Sequence, residues 1–328
     1  MVGKESRVHA GVVIQLFYSV GFVLSAGLAF LFRHDWRWFQ IAISIPGMFL
    51  LVFWWIIPES PRWMLGHGQK DKAIELIKKV AKTNDMIVPD DVFEKLEAET
   101  SEKDAKNPSL VDLFKTSNLR IKSILILFIW FVISATYFGL SWSTNDLGGN
   151  ELLNFFLSGI VEFPSIYFVI LTLNRWGRKK ILVGSMIASG ATLLLALIVP
   201  VNQHWLKITL AMAGKGSITV AYSVIFIFSA EQFPTIIRNV AIGACTAAAT
   251  IGAILVPYLI FLGQFWKPAL FLIIGVSAFL ASICSAFLPE THNRELPETI
   301  EDGENLGKST RIKKVAFGEV QIMLTPKT

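Results

Sequence analysis

Eight long apolar stretches constrain the fold of this chain more than any other feature of its sequence. A helix that crosses the roughly 30 Å hydrocarbon core of a bilayer needs about 20 such residues. The stretches are 8–32, 38–57, 121–143, 152–173, 181–200, 206–228, 240–262 and 268–288. Because 53% of the 328 residues are hydrophobic and only 17% are charged, a soluble core could not bury them all. The sequence therefore predicts an all-α, multi-pass membrane protein.

The motif PESPRWML at residues 58–65 separates the second apolar stretch from a long polar segment. Pro58 has no N–H to donate and its ring clashes with the preceding turn, so it ends the helix before it. Pro61 moves the residue before it out of the helical region. Glu59 and Arg62 place charges where the chain has already reached water. The motif predicts a rigid corner at a membrane exit.

Residues 58–120 form a hydrophilic segment with amphipathic pieces. Apolar residues recur on one face among the lysines of 71–82, which predicts a surface helix. A weaker pattern of the same kind lies at 92–96. Ser109 and Asp112 are spaced as a capping box, which predicts a short helix leading into the third span.

Lysine and arginine are concentrated in alternate loops of the chain. The segment 58–120 is rich in lysine and the turn at 174–180 carries four Lys and Arg residues, whereas 144–151 and 201–205 carry no Lys or Arg. Positive loops are retained on the cytoplasmic side of a membrane. We therefore expect both termini and the polar segment in the cytoplasm. The turn at 33–37, with two arginines, is the one loop that disagrees.

Several classes of protein are excluded by what the sequence lacks. Cys245 and Cys284 lie inside apolar stretches and are predicted to be packing residues rather than a disulfide. GKGS at 214–217 suggests a phosphate loop, but Thr209 stands where that motif needs its first glycine and no strand precedes it. No metal-ligand cluster, nucleophile–base spacing or basic-aromatic platform appears. We therefore predict no enzyme activity, no cofactor, no metal site and no nucleic-acid partner.

Taken together, several motifs resemble those of the major facilitator superfamily. The corner at 58–65 is similar to the close of the sixth helix in its sugar porters and organic-ion transporters. The remaining motifs are NRWGRKK at 174–180, EQFPTIIRN at 231–239, LPET at 288–291, LGGN at 147–150 and GIVEFP at 159–164. The last two are the most specific. With the tail at 296–305, they make the chain similar to insect members of the organic cation/carnitine/organic anion transporter family.

The resemblance implies a partial helical bundle of the major facilitator type. VGKESR at 2–7 is similar to the turn between helices four and five of the family, so the eight spans correspond to helices five to twelve and the first four are missing. The implied parts are the last two helices of the N-terminal bundle at 1–57, a cytoplasmic inter-bundle segment at 58–120, a complete six-helix C-terminal bundle at 121–288 and a cytoplasmic tail at 289–328. We expect this polar tail to be mobile.

The same resemblance implies a transporter of small organic solutes that works by alternating access, surrounded by the lipid of the plasma membrane. Its substrates would be organic cations, carnitine-like zwitterions or organic anions, and its coupling ion stays unknown. Two alternatives stay open. A sugar porter shares two of the motifs, but the seventh helix of a sugar porter is glutamine-rich, and 121–143 contains no Gln. The other alternative is a truncated, non-transporting membrane protein that regulates full-length partners.

Candidate substrate-binding residues lie inside the spans. Lys215 is near the middle of its span, where an ionisable side chain faces a cavity or a partner, so we expect it to contact substrate or to form an internal salt bridge. Trp130 and Tyr137 are seven residues apart and share a helix face. The resemblance implies that both line the substrate cavity, where rings can hold a cation, and that Gln15 and Tyr18 do so as well. Packing against neighbouring helices is the alternative for the three aromatic residues, and a position facing lipid is a further alternative for Tyr18.

Ser223 and Thr250 complete the predicted binding residues. Cation transporters of the family often carry glutamate at the first position and carry aspartate at the second, so both departures remove charge. Lys215 then becomes the only formal charge expected at cavity depth in these spans, which favours zwitterions or anions over quaternary ammonium ions. The alternative is that a carboxylate of another helix neutralises Lys215 and cancels this preference.

A second group of residues is predicted to control conformation. The resemblance implies that Glu162 pairs with basic residues such as Arg178, which shares its turn with Arg175. Glu231 and Arg238 lie at helix ends, where a network of charges can hold one state of a transporter.

Overall fold

The computed structural model describes residues 7–59, 61, 64, 69–83, 109–143, 150–200, 202–292, 297 and 299–305. Its helices are α1 (Arg7–Leu31), α2 (Trp36–Ile56), α3 (Lys70–Thr83), α4 (Ser117–Trp142), α5 (Glu151–Ile160), α6 (Glu162–Trp176), α7 (Arg178–Ile198), α8 (His204–Gln232), α9 (Arg238–Phe265), α10 (Ala269–Phe287) and α11 (Ile300–Asn305). Since α5 and α6 form one span, eight segments of the described chain are long and apolar enough to cross a membrane. This confirms the eight predicted spans and the all-α fold class.

Helices α4 and α6–α10 pack into one bundle. α7 packs against α8 and α10, and α4 packs against α8, α9 and α10. The buried face of α4 presents Ile126, Ile129 and Ile133, which recur at helical spacing. α1 packs against α5 and α6, and α2 packs against α1. No residue of the window Trp36–Phe53 in α2 is buried, so α2 lies at the edge of the assembly.

Pro164 breaks the span that α5 and α6 share. It has no N–H to donate to the carbonyl of Ile160, and its ring clashes with that carbonyl. α5 accordingly ends at Ile160, and α6 begins at Glu162. The break places a carboxylate in the first turn of α6, near the middle of the span Glu151–Trp176.

Gly177 makes the turn between α6 and α7. Its φ of 86° lies in the left-handed region that favours glycine, and a β-carbon at this position would lie 2.7 Å from Glu290 Oε2. The Glu290 carboxylate accepts the backbone N–H groups of Arg178 at 3.0 Å and Lys179 at 3.2 Å, which the first turn of a helix leaves unpaired. The predicted turn and exit motifs therefore meet in space. We call this end of the bundle the basic end.

The first part of the tail packs against the basic end. Glu304 of α11 accepts the backbone N–H groups of Asn118 and Leu119, both at 3.0 Å. Lys122 of α4 donates to the Gly303 carbonyl at 2.9 Å. The N-cap residue of α4 makes no side-chain bond, so the tail supplies the acceptor that this helix start needs. The expectation of a mobile tail is wrong for this part.

The polar segment agrees with its predicted pieces where it is described. α3 matches the surface helix predicted at 71–82. Ser109 and Asp112 form the predicted capping box, which starts a short 3₁₀ helix, Leu110–Phe114. The weaker pattern at 92–96 lies outside the described residues.

Candidate functional site

A buried ion pair lies inside the bundle. Lys215 Nζ of α8 is 3.3 Å from Glu162 Oε1 of α6, and each side chain is only 1% exposed. The break at Pro164 puts the carboxylate in the first turn of α6, which packs against α8. Removing two charges from water is costly, so such a pair persists only where further hydrogen bonds complete it.

Three hydroxyl groups complete this pair. Tyr137 of α4 donates to Glu162 Oε1 at 2.5 Å, and Ser19 of α1 donates to Oε2 at 2.7 Å. Lys215 donates to Ser141 of α4, and its ammonium lies 3.3 Å from the centroid of the Tyr137 ring, within range of a cation–π contact. We call these five residues, Ser19, Tyr137, Ser141, Glu162 and Lys215, the polar core. It joins four helices.

The polar core corrects two expectations. Lys215 is not the only charge at this depth, because Glu162 neutralises it, and the predicted preference for zwitterions or anions loses its basis. The pairing of Glu162 with Arg178 is also wrong. Arg178 lies at the basic end, about 20 Å further along the span at 1.5 Å per residue, and it pairs with Glu231 instead.

A second polar contact joins α1 to α8. Ser223 donates a hydrogen bond to the side-chain oxygen of Gln15. Tyr18 of α1 is 55% exposed and contacts Tyr137. The structure therefore brings together five of the seven predicted binding residues, namely Gln15, Tyr18, Tyr137, Lys215 and Ser223.

Trp130 belongs to an aromatic cluster beside the polar core. Its ring packs edge-to-face against Tyr222 and Phe226, with centroids 5.9 and 4.4 Å apart. Tyr222 in turn lies 5.3 Å from the Tyr137 ring. Trp130 is wholly buried and its indole N–H donates to Ser229 at 2.8 Å, whereas Tyr222 and Phe226 are half-buried. Within this cluster the accessible ring surface belongs to Tyr222 and Phe226, which pack against the buried Trp130.

Thr250, Arg175 and Arg238 take part in none of the clusters described here. Thr250 is exposed on α9, and its hydroxyl donates to the Thr246 carbonyl at 2.9 Å. Arg175 is exposed at the end of α6. Arg238 begins α9, and its Nε donates to the Phe233 carbonyl at 3.3 Å.

The basic end holds a second ionic cluster. Arg178 Nη2 of α7 is 3.2 Å from Glu231 Oε1 of α8, and Thr291 donates to Glu231 Oε2 at 2.5 Å. Arg178 Nη1 lies 2.5 Å from His292 Nδ1, which accepts because a guanidinium can only donate. These contacts join α7, α8 and the segment that follows α10.

Comparison with known proteins decides the family. Residues 3–302 match the family described as sugar (and other) transporter. The chain belongs to this family. Its fold is similar to that of the proton:xylose symporter XylE bound to 6-bromo-6-deoxy-D-glucose, with a TM-score of 0.63, 16% identity, and coverage of 91% of this chain and 66% of that one. The major facilitator-type bundle is thereby confirmed.

Two relatives show which proteins of the sugar (and other) transporter family this chain resembles. It is 50% identical to the organic cation transporter protein of Drosophila melanogaster over 96% of its own length, and 36% identical to solute carrier family 22 member 2 of Homo sapiens over 99%. It spans 59% of the length of each. The predicted resemblance to organic cation transporters is confirmed.

Ser19, Ser141 and Tyr222 are site residues that the sequence analysis missed. Each lies four or seven residues after a predicted binding residue, on the same face of the same helix. That spacing is the sequence signal by which Ser19, Ser141 and Tyr222 could have been identified as site residues. The spacing identifies residues that are neighbours along one helix, but it does not identify the residue on another helix that each of them contacts.

Proposed function

We propose that this chain works in the transport of small organic solutes by alternating access, with the polar core at its solute-binding site. The buried pair of Glu162 and Lys215 is the observation that carries this proposal. An ionisable residue within a span marks a substrate or ion pathway by default, and solute sites of such transporters lie near the bilayer midplane between helix bundles. The organic cation transporters to which the chain is similar support the same function.

The contacts between α1 and the bundle suggest how binding is coupled to movement. Ser19 bonds to Glu162, and Gln15 bonds to Ser223. Rocking of α1 against the bundle breaks both bonds. A solute that binds here competes for the same polar groups, and it therefore shifts the balance between the two states by its differential affinity for them.

The ionic cluster at the basic end is the proposed gate. Arg178 and Glu231 pair in the conformation described, with Arg175 and Arg238 on the neighbouring turns. Breaking this pair loosens the contact of α7 with α8 at one end of the bundle. Repacking of salt bridges is a common element of such transitions.

Small organic cations are the proposed substrates. Because Glu162 neutralises Lys215, the polar core as a pair presents no net charge to a solute. The accessible rings of Tyr222 and Phe226 can attract a cation by about 0.5–2 kcal/mol each. Carnitine-like zwitterions and organic anions are the competing classes.

The proposed orientation places both termini and the basic end in the cytoplasm, with the chain in the plasma membrane. The asymmetry of basic loops supports it. We further propose that 1–57 ends an N-terminal bundle and that 121–288 forms the C-terminal one. The exposed apolar length of α2 suits contact with further helices.

Equilibrium binding to the purified chain in nanodiscs tests the substrate class. We expect tetraethylammonium to bind more tightly than carnitine or p-aminohippurate. Tyr222→Leu keeps an apolar side chain but removes the π face, so it should weaken tetraethylammonium binding about 2- to 30-fold. Tyr258→Leu is the matched control, because Tyr258 is 69% exposed on α9 and lies outside the polar core and the aromatic cluster.

Each outcome of this binding experiment contradicts a different part of the proposal. Tighter binding of carnitine or p-aminohippurate, or no effect of Tyr222→Leu on tetraethylammonium, means that the substrate class is wrong. Absence of binding for all three solutes contradicts the solute site itself and favours the non-transporting alternative.

A further inference from the structure

A groove of about 510 Å³ runs between α6, α7 and α8, apart from the polar core. Its apolar walls include Val161, Pro164, Phe168, Ile181, Met212 and Val220. Small residues of α7 and α8, among them Gly184, Ala188, Ala213 and Gly216, leave the space between them. The volume lies within the roughly 300–1,000 Å³ of typical small-molecule sites.

The groove and the polar core occupy different faces of the same helices. On α6, Pro164 and Phe168 lie one turn apart on the groove face, whereas Glu162 shares its face with the buried Ile166. At 3.6 residues per turn these two faces are about 160° apart. The groove therefore does not open into the polar core.

The groove opens to the outside of the bundle. Pro164, Phe168, Gly184 and Ala188 are exposed along it, and a β-carbon added at Gly184 would meet no atom within 4 Å. The groove faces away from α1, which bonds to Glu162 on the other face of α6, so this outer surface lies in hydrocarbon. The occupant that can reach the groove from there is a lipid.

One end of the groove carries a positive charge. Lys180 and Trp176 line it at the basic end, and both are exposed. Lys180 is the one charged side chain among the residues that line the groove. Tryptophan is enriched at the membrane–water interface, and basic pockets between membrane helices hold anionic lipid head groups.

We propose that this groove binds one anionic phospholipid from the leaflet next to the basic end. The phosphate of the head group lies at Lys180, beside the indole of Trp176. One acyl chain follows the groove from there toward Ala188. Lys180 and Ala188 are eight residues apart on the helix, a distance of about 12 Å. This distance is most of the thickness of one leaflet, which contributes half of the roughly 30 Å hydrocarbon core.

The lipid has a mechanical consequence. α6 carries Glu162 and α7 carries Arg178, so both clusters are built on helices that wall the groove. An acyl chain wedged between α6, α7 and α8 fills space that is otherwise open. The occupied groove therefore holds these three helices in the arrangement described here.

Native mass spectrometry of the purified full chain, with added dioleoyl lipids, tests the site. We expect the chain to retain phosphatidylserine at least fivefold better than phosphatidylcholine. Lys180→Gln should reduce this preference about fivefold, which corresponds to about 1 kcal/mol for one basic residue near the membrane surface. Lys115→Gln is the matched control, since Lys115 is exposed at the same end but does not line the groove.

A second pair of variants tests the acyl-chain part. Gly184→Leu fills the groove and should lower retention of both lipids at least tenfold. Gly263→Leu is its control, because position 263 is equally open but lies on α9. The thermal unfolding midpoint of each variant in lipid-free detergent reports whether it has folded, and Lys180→Gln tests the site independently if Gly184→Leu has not.

Three results overturn the proposal. Unchanged lipid retention in a folded Gly184→Leu variant excludes the groove. Equal retention of the two lipids by the wild type excludes the charged head group. If inorganic phosphate displaces phosphatidylserine, the site at Lys180 holds free phosphate rather than a lipid.

Discussion

Ser19 and Glu162 are 143 positions apart in the chain, and their side chains are joined by a hydrogen bond of 2.7 Å. Ser19 lies on α1, and Glu162 begins α6 at the break that Pro164 causes between α5 and α6. This bond connects α1, which lies outside the bundle, to the ion pair within it. The position of α1 and the state of the polar core are therefore coupled.

Removing this hydroxyl should weaken that coupling measurably. A hydrogen bond to a charged group contributes about 1.5–3 kcal/mol, so we expect Ser19→Ala to lower the free energy of unfolding in detergent by about that amount. Ser25→Ala is the matched control on the same helix, because the Ser25 hydroxyl donates to the Phe22 carbonyl one turn away and not to a charged group. Equal effects of the two substitutions would contradict the role of Ser19.

The ion pair itself should behave as one unit. Removing one partner of a buried pair costs about 3–5 kcal/mol because the other charge stays buried and uncompensated. We expect this loss in unfolding experiments for Lys215→Met and for Glu162→Gln. The double variant should recover a large part of it, since no charge remains in the core.

Lys207→Met is a control for the pair, because Lys207 lies nearer the start of α8 and contacts the Phe271 ring rather than a carboxylate. Its effect should be small and should add to that of Glu162→Gln. Simple additivity of Lys215→Met and Glu162→Gln would mean that the two side chains do not interact.

The spans could be predicted from sequence because a bilayer leaves few solutions for an apolar stretch. The depth of Lys215 in its span and the capping box at Ser109 could also be predicted, because each depends on neighbouring residues in the sequence. The partner of Lys215 could not be predicted, since hydropathy does not say which helix packs against α8. The predicted pairing of Glu162 with Arg178 rests on the resemblance alone, since no local pattern around Glu162 identifies its partner on another helix.

The packing of α11 against α4 could not be predicted for a related reason. Its residues are polar, and polarity along a segment is typical of a mobile terminus. Glu304 is held by the backbone N–H groups of Asn118 and Leu119, which have no acceptor within α4 because they lie at its start. Such a pairing depends on two segments that are far apart in sequence, so no local pattern reveals it.

Gly177 should be intolerant of a side chain. Alanine there would have to adopt φ 86° and ψ 169°, a region almost confined to glycine, at a cost of about 1–3 kcal/mol, and its β-carbon would displace the Glu290 carboxylate that caps α7. We expect Gly177→Ala to destabilise the chain by at least about 2 kcal/mol in unfolding experiments. Gly184→Ala, at an open helical position, should be neutral or stabilising by up to about 1 kcal/mol. Similar effects at both positions would refute the strain at Gly177.

The proposed orientation can be checked by cysteine labelling in intact cells. The background variant is Cys245→Ala/Cys284→Ala, and single cysteines replace Asp71 or Gln203, both of which are exposed. A membrane-impermeant maleimide should label position 203 at once and position 71 only after permeabilisation. The reverse pattern would invert the topology.

Ligand charge gives the sharpest test of the polar core as a binding site. Glu162→Gln leaves the Lys215 ammonium uncompensated, whereas Lys215→Gln leaves a carboxylate. At an effective dielectric constant of about 20, a charge roughly 6 Å from a bound ion contributes about 3 kcal/mol, or about a hundredfold in affinity. Tetraethylammonium binding should therefore fall by up to about a hundredfold in Glu162→Gln and rise in Lys215→Gln, and p-aminohippurate should respond with the opposite signs. A purely structural pair would instead make both variants lose affinity for both ions, because either substitution would disturb the same packing.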